Sequence, residues 1–196
     1  MRCNNSKDMI KFSKNKLGIS IKNIEKNNMR NNSCFLNSLY SNLGINYPKF
    51  FKMDSLCKLG VIGTELLYKE NQELFMKKNR IGIIFQNKSS SLDSDIKHQE
   101  CIDNNIVSPS IFVYTLPNIL IAEISIKYQW NSEGVFFVGK ELDHTLLSQY
   151  SNVLLKENRT EINLIGWIDV INHECSLSLY IIDSIIKAEE LEKRLI

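Results

Sequence analysis

The fold is decided by Val107-Ser-Pro-Ser-Ile-Phe-Val-Tyr-Thr-Leu-Pro-Asn118, by the apolar run over 119–128, and by Gly134-Val-Phe-Phe-Val-Gly-Lys-Glu-Leu-Asp-His144. Pro117 suits the first turn of a helix, where its missing N–H costs nothing, so the apolar run predicts a helix to about Lys127. That helix is apolar on nearly every side, which is typical of a helix at a domain centre or in an interface. Its charged residues, Glu123 and Lys127, are spaced as an i,i+4 pair.

The spacing of apolar residues outside this stretch predicts a layered α/β domain over 16–196, preceded by a polar segment over 1–15 that we expect to be flexible. Gly60 and Gly63 are three residues apart in the second helix, which predicts close packing against another element. Strands are predicted over 17–24, 80–86, 135–138, 162–170 and 176–182, forming a mixed five-stranded sheet. Helices are predicted over 34–43, from a cap at Asp54 or Ser55 to about Tyr68, and from the polar turn at 89–95 toward Ile102. Further helices are predicted after Pro117, over 141–155 and over 185–195.

Composition indicates one ordinary globular domain. The chain has 196 residues, of which 43% are hydrophobic, and 24 basic against 22 acidic residues give a net charge of +2. That balance argues against a nucleic-acid partner and against a polyacidic ligand. Because no apolar run reaches about 18 residues, we expect no membrane span. The first 15 residues lack the apolar region of a signal peptide, so none is expected.

Cysteine usage favours reduced thiols in a cytoplasmic protein. The five cysteines are an odd number at unrelated spacings, without a C-x-x-C pair or a histidine at metal-ligand spacing. We therefore predict neither a metal nor a cofactor. Cys57 and Cys175 lie in apolar patterns and are interpreted as small core residues.

Basic residues are concentrated near the N-terminus. This stretch is interpreted as a solvated surface, and a face that binds phosphate or an acidic carrier protein is the alternative. The residues are Lys7, Lys11, Lys14, Lys16, Lys22, Lys26 and Arg30.

Five segments carry a family resemblance. They are Lys52-Met-Asp54, Arg80-Ile-Gly-Ile-Ile84, Tyr114-Thr-Leu-Pro-Asn118, Gly134, and Asn163-Leu-Ile-Gly-Trp-Ile-Asp169. In order and spacing they resemble the N-terminal half of a β-ketoacyl synthase, a condensing enzyme of the thiolase fold. The run Tyr47-Pro-Lys-Phe-Phe-Lys-Met-Asp54 is also similar to one in the short synthase-like proteins of flexirubin and aryl-polyene pigment clusters. The resemblance implies a thiolase-like half-fold over roughly 46–182.

The sequence departs from the family at the catalytic position. By the family's spacing the nucleophilic cysteine falls at about Glu141, between Lys140 and Leu142. A glutamate there cannot form a thioester, although it would keep a favourable charge at a helix N-terminus. The family's C-terminal half supplies two histidines, and none of the chain's histidines matches those positions. These are His98, His144 and His173. No catalytic residue is therefore predicted.

The resemblance then implies a chain-length-factor-like subunit. In that hypothesis the strand at 135–138 pairs with its counterpart in an active ketosynthase, the helix after Pro117 packs at the same interface, and an acyl carrier protein delivers the growing chain. Residues predicted to line the acyl tunnel or the interface are Phe112, Tyr114, Pro117, Asn118, Phe136 and Phe137. Ordinary core packing of the aromatic residues among them remains an equal alternative.

Two further functions remain open. Glu141 and His144 are three residues apart, so a helix would place both on one side, where they could serve as an acid–base pair of an acyl-thioester transferase or hydrolase. A surface histidine is the simpler interpretation. The run Ser89–Ser91 lacks the G-x-S-x-G context of a nucleophile and is predicted to be a turn. A homodimeric module that binds an acyl carrier protein through the basic N-terminal stretch is the third hypothesis.

Overall fold

The computed structural model describes residues 10–15, 18–23, 32–172 and 174–195. These residues form one mixed sheet between two layers of helices. The strands are β1 (Ile10–Asn15), β2 (Gly18–Asn23), β3 (Ile81–Asn87), β4 (Gly134–Val138), β5 (Ile162–Ile171) and β6 (Glu174–Ile182). The helices are α1 (Asn32–Asn42), α2 (Ser55–Glu70), α3 (Gln72–Met76), α4 (Leu92–Asp103), α5 (Pro109–Val113), α6 (Ile119–Tyr128), α7 (His144–Lys156) and α8 (Ala188–Leu195), with a 3-10 turn at Pro48–Lys52.

The sheet has the order β1-β2-β6-β5-β3-β4. β3 pairs in parallel with β4 and β5, and the remaining pairs are antiparallel. The α/β class and the mixed sheet predicted from the sequence are confirmed. The sheet has six strands rather than five, because Ile10–Asn15 pairs with β2 inside the segment predicted to be flexible.

Both faces of the central strands are buried because their side chains alternate between two cores. In β5, Leu164 and Ile168 belong to the larger core, and Ile165 belongs to the smaller one. In β6, the predicted alternating residues Leu177 and Leu179 again face the larger core. The sheet is therefore covered on both sides, as the apolar runs in the sequence indicate.

The larger core lies under α1, α2 and α6. Asp54 caps α2 as predicted, accepting a 2.8 Å hydrogen bond from the N–H of Cys57. A methyl group at Gly60 would lie 2.3 Å from Leu120, and one at Gly63 would lie 2.5 Å from Leu177. The predicted close packing at these glycines is confirmed, and it brings α2 against α6 and β6.

The helix after Pro117 is confirmed as α6, but its two charged residues do not pair with each other. Lys127 Nζ lies 2.6 Å from Glu65 on α2, and Glu123 lies 2.8 Å from Lys49 Nζ in the 3-10 turn. Both carboxylates are nearly buried, so each forms its ion pair with the lysine that packs next to it in the folded chain. The predicted i,i+4 pair is wrong for this reason.

The smaller core lies under α7 and α8, on the opposite face of the sheet. Two short helices, α3 and α5, were not predicted from the sequence. Among the described residues, no helix combines the length and the apolar character needed to span a bilayer.

Candidate functional site

The predicted interface strand, β4, forms one edge of the sheet. The N–H of Ile83 donates to the carbonyl of Glu133 at 2.9 Å, and the N–H of Gly139 donates to the carbonyl of Asn87 at 2.8 Å. Because the N–H and C=O groups of a strand alternate in direction from one residue to the next, Val135 and Phe137 also direct theirs toward β3, like Glu133 and Gly139. The residues that direct their N–H and C=O away from the sheet are Gly134, Phe136 and Val138.

A loop over 139–143 connects β4 to α7 and contains the expected nucleophile position. Helix α7 begins at His144, and Asp143 caps it by accepting a 2.8 Å hydrogen bond from the N–H of Leu146. The predicted helix start at Glu141 is therefore wrong by three residues. Glu141 is an exposed loop residue, so it does not share a helix face with His144.

Buried Gln86, at the end of β3, positions this loop. Its side-chain carbonyl accepts a 2.8 Å hydrogen bond from the N–H of Asp143, and its amide nitrogen would lie 2.7 Å from a methyl group on Gly139. A side chain at Gly139 would therefore push against the amide that holds the α7 cap. Gln86 was not predicted as a site residue, because its only signal in the sequence is a polar residue near the end of an apolar strand.

An open cavity of about 640 Å³ lies between this loop, the first turn of α7 and helix α8. Its chemistry is polar and mostly acidic, and none of its lining residues is a cysteine or a serine. Glu141 and His144 both line it, although they approach from the loop and from the helix. The lining residues are Gln86, Gly139, Lys140, Glu141, Leu142, Asp143, His144, Thr145, Ala188, Glu189 and Glu192.

The described cysteines lie elsewhere. Cys57 and Cys175 are buried core residues, as predicted, and Cys101 is partly exposed on α4. Burial, together with the neighbouring carboxylates of Asp54 and Glu123, raises the pKa of Cys57 well above its usual value. Burial raises the pKa of Cys175 to about 12. Neither thiol is placed or ionised as a thioester-forming nucleophile would be.

The six predicted tunnel or interface residues do not form one cluster. Phe136 packs against the larger core, whereas Phe137 makes an edge-on contact with Tyr150 in the smaller core, with ring centroids 5.5 Å apart. The two rings therefore lie on opposite faces of β4. Phe112 is largely exposed in an apolar groove between α4 and α5, where it packs beside His98 at 5.4 Å.

The other three candidates lie where α5 connects to α6. The Tyr114 hydroxyl donates to the Glu123 carboxylate at 3.1 Å, and burial and that carboxylate raise the pKa of Tyr114. Pro117 is partly buried in the turn before α6, and exposed Asn118 occupies the N-cap position of α6 without a capping side-chain bond. Tyr114 therefore packs as a core residue with a polar tip, which is the alternative left open above.

The serine run after β3 is a turn, as predicted. Ser89 donates from its N–H and its hydroxyl to the Asp169 carboxylate, at 3.0 and 3.2 Å. Asn87 bonds both backbone groups of Ser90 at 2.8 Å. The Ser89 hydroxyl is held by a carboxylate within a turn, which agrees with the missing G-x-S-x-G context.

The side chains of the basic N-terminal stretch and His173 lie outside the described residues. Within the described part of the chain, no group of three or more His, Cys, Asp or Glu side chains is arranged to hold a metal ion.

The chain is similar to known proteins in its three-dimensional structure. No family model matches the sequence, and no curated protein matches it. One similar structure is the ketosynthase (ApeO) in complex with its chain length factor (ApeC) from Xenorhabdus doucetiae, with a TM-score of 0.51 and 10% identity over 72% of this chain. Another is the AntDE:AntF complex of a type II polyketide synthase acyl-carrier protein with its ketosynthase bound to the hexaketide, with a TM-score of 0.56 and 15% identity over 76% of this chain.

The chain spans 62% and 50% of the lengths of these two neighbours. At such low identity the likeness concerns the fold, which agrees with the resemblance found in the sequence. The chain therefore has a ketosynthase- and chain-length-factor-like α/β fold.

Proposed function

We propose that the chain is a non-catalytic, chain-length-factor-like subunit that pairs with an active ketosynthase through the open edge of β4. In this role it shapes the tunnel in which a carrier-bound acyl or polyene chain grows, as in aryl-polyene or flexirubin synthesis. The observation that carries the proposal is the position of β4: an open sheet edge leads directly into the loop that holds Glu141, where the family resemblance expects the nucleophile.

The edge of β4 supports the pairing because its outer hydrogen-bonding groups have no partner strand among the described residues. Proteins normally cover, charge or pair such edges. The strand reads Gly-Val-Phe-Phe-Val and carries no charged side chain, and its Val138 is 56% exposed. A strand with this composition is suited to pairing with a partner strand.

The residues that line the cavity beside Glu141 and His144 support a non-catalytic role. An enzyme-bound thioester needs a cysteine thiol, and none of the lining residues is a cysteine. The buried thiols of Cys57 and Cys175 have raised pKa values and lie in the cores. In this proposal the chain binds the ketosynthase subunit and performs no chemistry itself. A cytoplasmic location, predicted from the reduced thiols, belongs to this proposal.

Co-expression with a ketosynthase encoded in the same organism tests the proposal. We expect the two chains to elute together on gel filtration, and we expect condensing activity to require the partner's cysteine. Separate elution of the two chains at micromolar concentrations would contradict the pairing.

A second candidate is an acyl-thioester transferase or hydrolase, favoured by the single observation that Glu141 and His144 line the same cavity. It predicts that the isolated chain turns over acyl-thioesters and that Glu141→Gln removes most of the rate. Absence of turnover by the wild-type chain would leave the subunit role as the better account. The carrier-binding hypothesis depends on the N-terminal basic side chains, which lie outside the described residues.

A further inference from the structure

We propose that the open cavity between the 139–143 loop and α8 binds a basic peptide segment of a partner protein, one that carries two lysine or arginine side chains. The inference goes beyond the subunit role and does not depend on it, because the cavity is lined by side chains, whereas the pairing with the ketosynthase uses the backbone of β4. We call the cavity the acidic cleft and define it by Gln86, Glu141, Asp143, Glu189 and Glu192.

The acidic cleft carries negative charge that the residues around it do not balance. Its lining has four carboxylates and one lysine, Lys140, which leaves an excess of three negative charges when its histidine is neutral. Glu141, Glu189 and Glu192 are exposed and form no ion pair with any residue that the structure describes. A cleft lined by one sign of charge concentrates ligands of the opposite sign, so the expected ligand is cationic.

Gln86 gives a second and independent indication of a ligand. The residue is only 3% exposed, and its side-chain carbonyl is occupied by the N–H of Asp143. Its amide nitrogen faces Gly139, which also lines the cleft, and it donates to no acceptor within the described part of the chain. Buried polar groups normally have hydrogen-bond partners. The free amide on the wall of the cleft is therefore a binding point for an acceptor atom of the ligand.

The carboxylates are spread over two walls of the cleft. Glu141 and Asp143 belong to the loop, and Glu189 and Glu192 lie about one turn apart on α8. Among the residues with described positions, no three such side chains converge closely enough to hold one metal ion. The arrangement suits a ligand with two separated positive charges rather than a single cation.

A basic peptide meets both requirements of the acidic cleft. Its lysine or arginine side chains pair with the carboxylates of the two walls, and one of its backbone carbonyls accepts from the amide of Gln86. A polyamine supplies the positive charges, but its protonated nitrogens are donors without an acceptor. The cleft measures about 640 Å³, within the roughly 300–1,000 Å³ that is usual for ligand sites, so a short peptide segment fits it.

Calorimetric titration of the full chain with the peptide acetyl-Lys-Gly-Lys-amide tests the assignment. We expect saturable binding that weakens as the salt concentration rises, because salt screens exposed charges. Glu189→Gln with Glu192→Gln removes the charges of α8 at exposed positions, and it should raise Kd by about tenfold or more because two charge pairs are lost. The control, Glu73→Gln with Glu100→Gln, removes the same charge from exposed positions of α3 and α4 and should leave Kd unchanged.

Spermidine is the comparison ligand, and we expect it to bind more weakly than the peptide. Equal affinities for the two would show that charge alone is recognised, which would overturn the assignment to a peptide. Equal weakening by the two double variants would show that the attraction comes from the overall charge of the protein and would overturn the site. A wild-type chain that does not bind the peptide would also overturn the inference, while pairing along β4, which is measured with the ketosynthase, would be unaffected.

Discussion

The side-chain carbonyl of Gln86 accepts a 2.8 Å hydrogen bond from the backbone N–H of Asp143, which joins the end of β3 to the residue that caps α7. Asp143 in turn accepts from the N–H of Leu146. Two consecutive hydrogen bonds therefore fix where the helix begins. They leave Glu141 in the loop, away from the helix N-terminus.

Replacing Gln86 with leucine should destabilise the protein, because the Asp143 N–H would lose its partner next to a buried apolar group. Loss of one partly buried hydrogen bond costs about 0.5–1.5 kcal/mol, and we expect a loss in that range from urea unfolding at pH 7. Gln149→Leu, at an exposed position of α7, is the control and should change stability by less than about 0.5 kcal/mol. Equal effects of the two substitutions would show that the Gln86 bond is unimportant.

Thiol labelling tests whether any core cysteine resembles a catalytic nucleophile. Cys57 and Cys175 are buried and have raised pKa values, whereas Cys101 is partly exposed. At pH 8, iodoacetamide should modify Cys101 at least about a hundredfold faster than either buried thiol, because only the thiolate reacts. Peptide mapping by mass spectrometry reports each site separately. Rapid modification of Cys57 in the folded protein would contradict the inactive role given to it.

Gly166 in β5 should tolerate no side chain. Its φ is +150°, and a methyl group there would lie 1.9 Å from the carbonyl oxygen of Ser178 on the neighbouring strand. Since backbone rather than a flexible side chain blocks the position, Gly166→Ala should cost at least about 3 kcal/mol. Gly44→Ala is the matched control: its φ is +60°, but nothing lies within 4 Å, so the cost should be about 1 kcal/mol. Urea unfolding of both variants measures the difference, and similar midpoints would refute the steric argument.

The central architecture could be predicted from the sequence because the apolar periodicities of its main elements are strong. The alternation of Leu177, Leu179 and Ile181 defined β6, and the apolar run after Pro117 defined α6. Asp54 could be identified as a cap because a short acidic side chain preceded a helical pattern. In each case the signal is local to the element.

The errors have tertiary causes. The cations that pair with Glu123 and Glu65 come from Lys49 and Lys127, more than sixty residues away in each case, so helix spacing could not identify them. The start of α7 depends on Gln86, which lies 57 residues before Asp143. β1 is a short sequence rich in lysine and polar residues whose pairing with β2 gives it its structure. The placement of Glu141 at the expected nucleophile position rests on the family resemblance alone.

The ion pair of Glu65 with Lys127 should make stability depend on pH. Burial raises the pKa of Glu65, but hydrogen bonds from Lys127 and Tyr128 outweigh it and hold that pKa below its ordinary value of 4.5. A carboxyl group with a lowered pKa stabilises the folded state above its unfolded pKa and loses that contribution as pH falls through the folded pKa. The stabilisation should therefore be complete near pH 7 and decline below about pH 4.5.

Comparison of Glu65→Gln with wild type measures this contribution. At pH 7 the variant should be less stable by about 3 kcal/mol, because Lys127 is left nearly buried without its partner charge. At pH 3 the difference should become smaller. Glu73→Gln, whose side chain is exposed on α3, should show no such dependence. A gap between wild type and Glu65→Gln that stays constant from pH 7 to pH 3 would rule out the assigned pKa direction.

The outward N–H of Val138 gives the sharpest test of pairing along β4. Proline at this position removes an N–H that points away from β3, so the isolated chain should lose less than about 1 kcal/mol of stability. In a complex that extends the sheet, the same change removes one ladder bond, worth about 0.5–1.5 kcal/mol, and places the proline ring against the partner strand. We therefore expect Val138→Pro to weaken binding to the ketosynthase about tenfold or more. Val138→Thr keeps the N–H and the side-chain shape, and it should bind like wild type; equal affinity of the proline and threonine variants would exclude β4 as the paired edge.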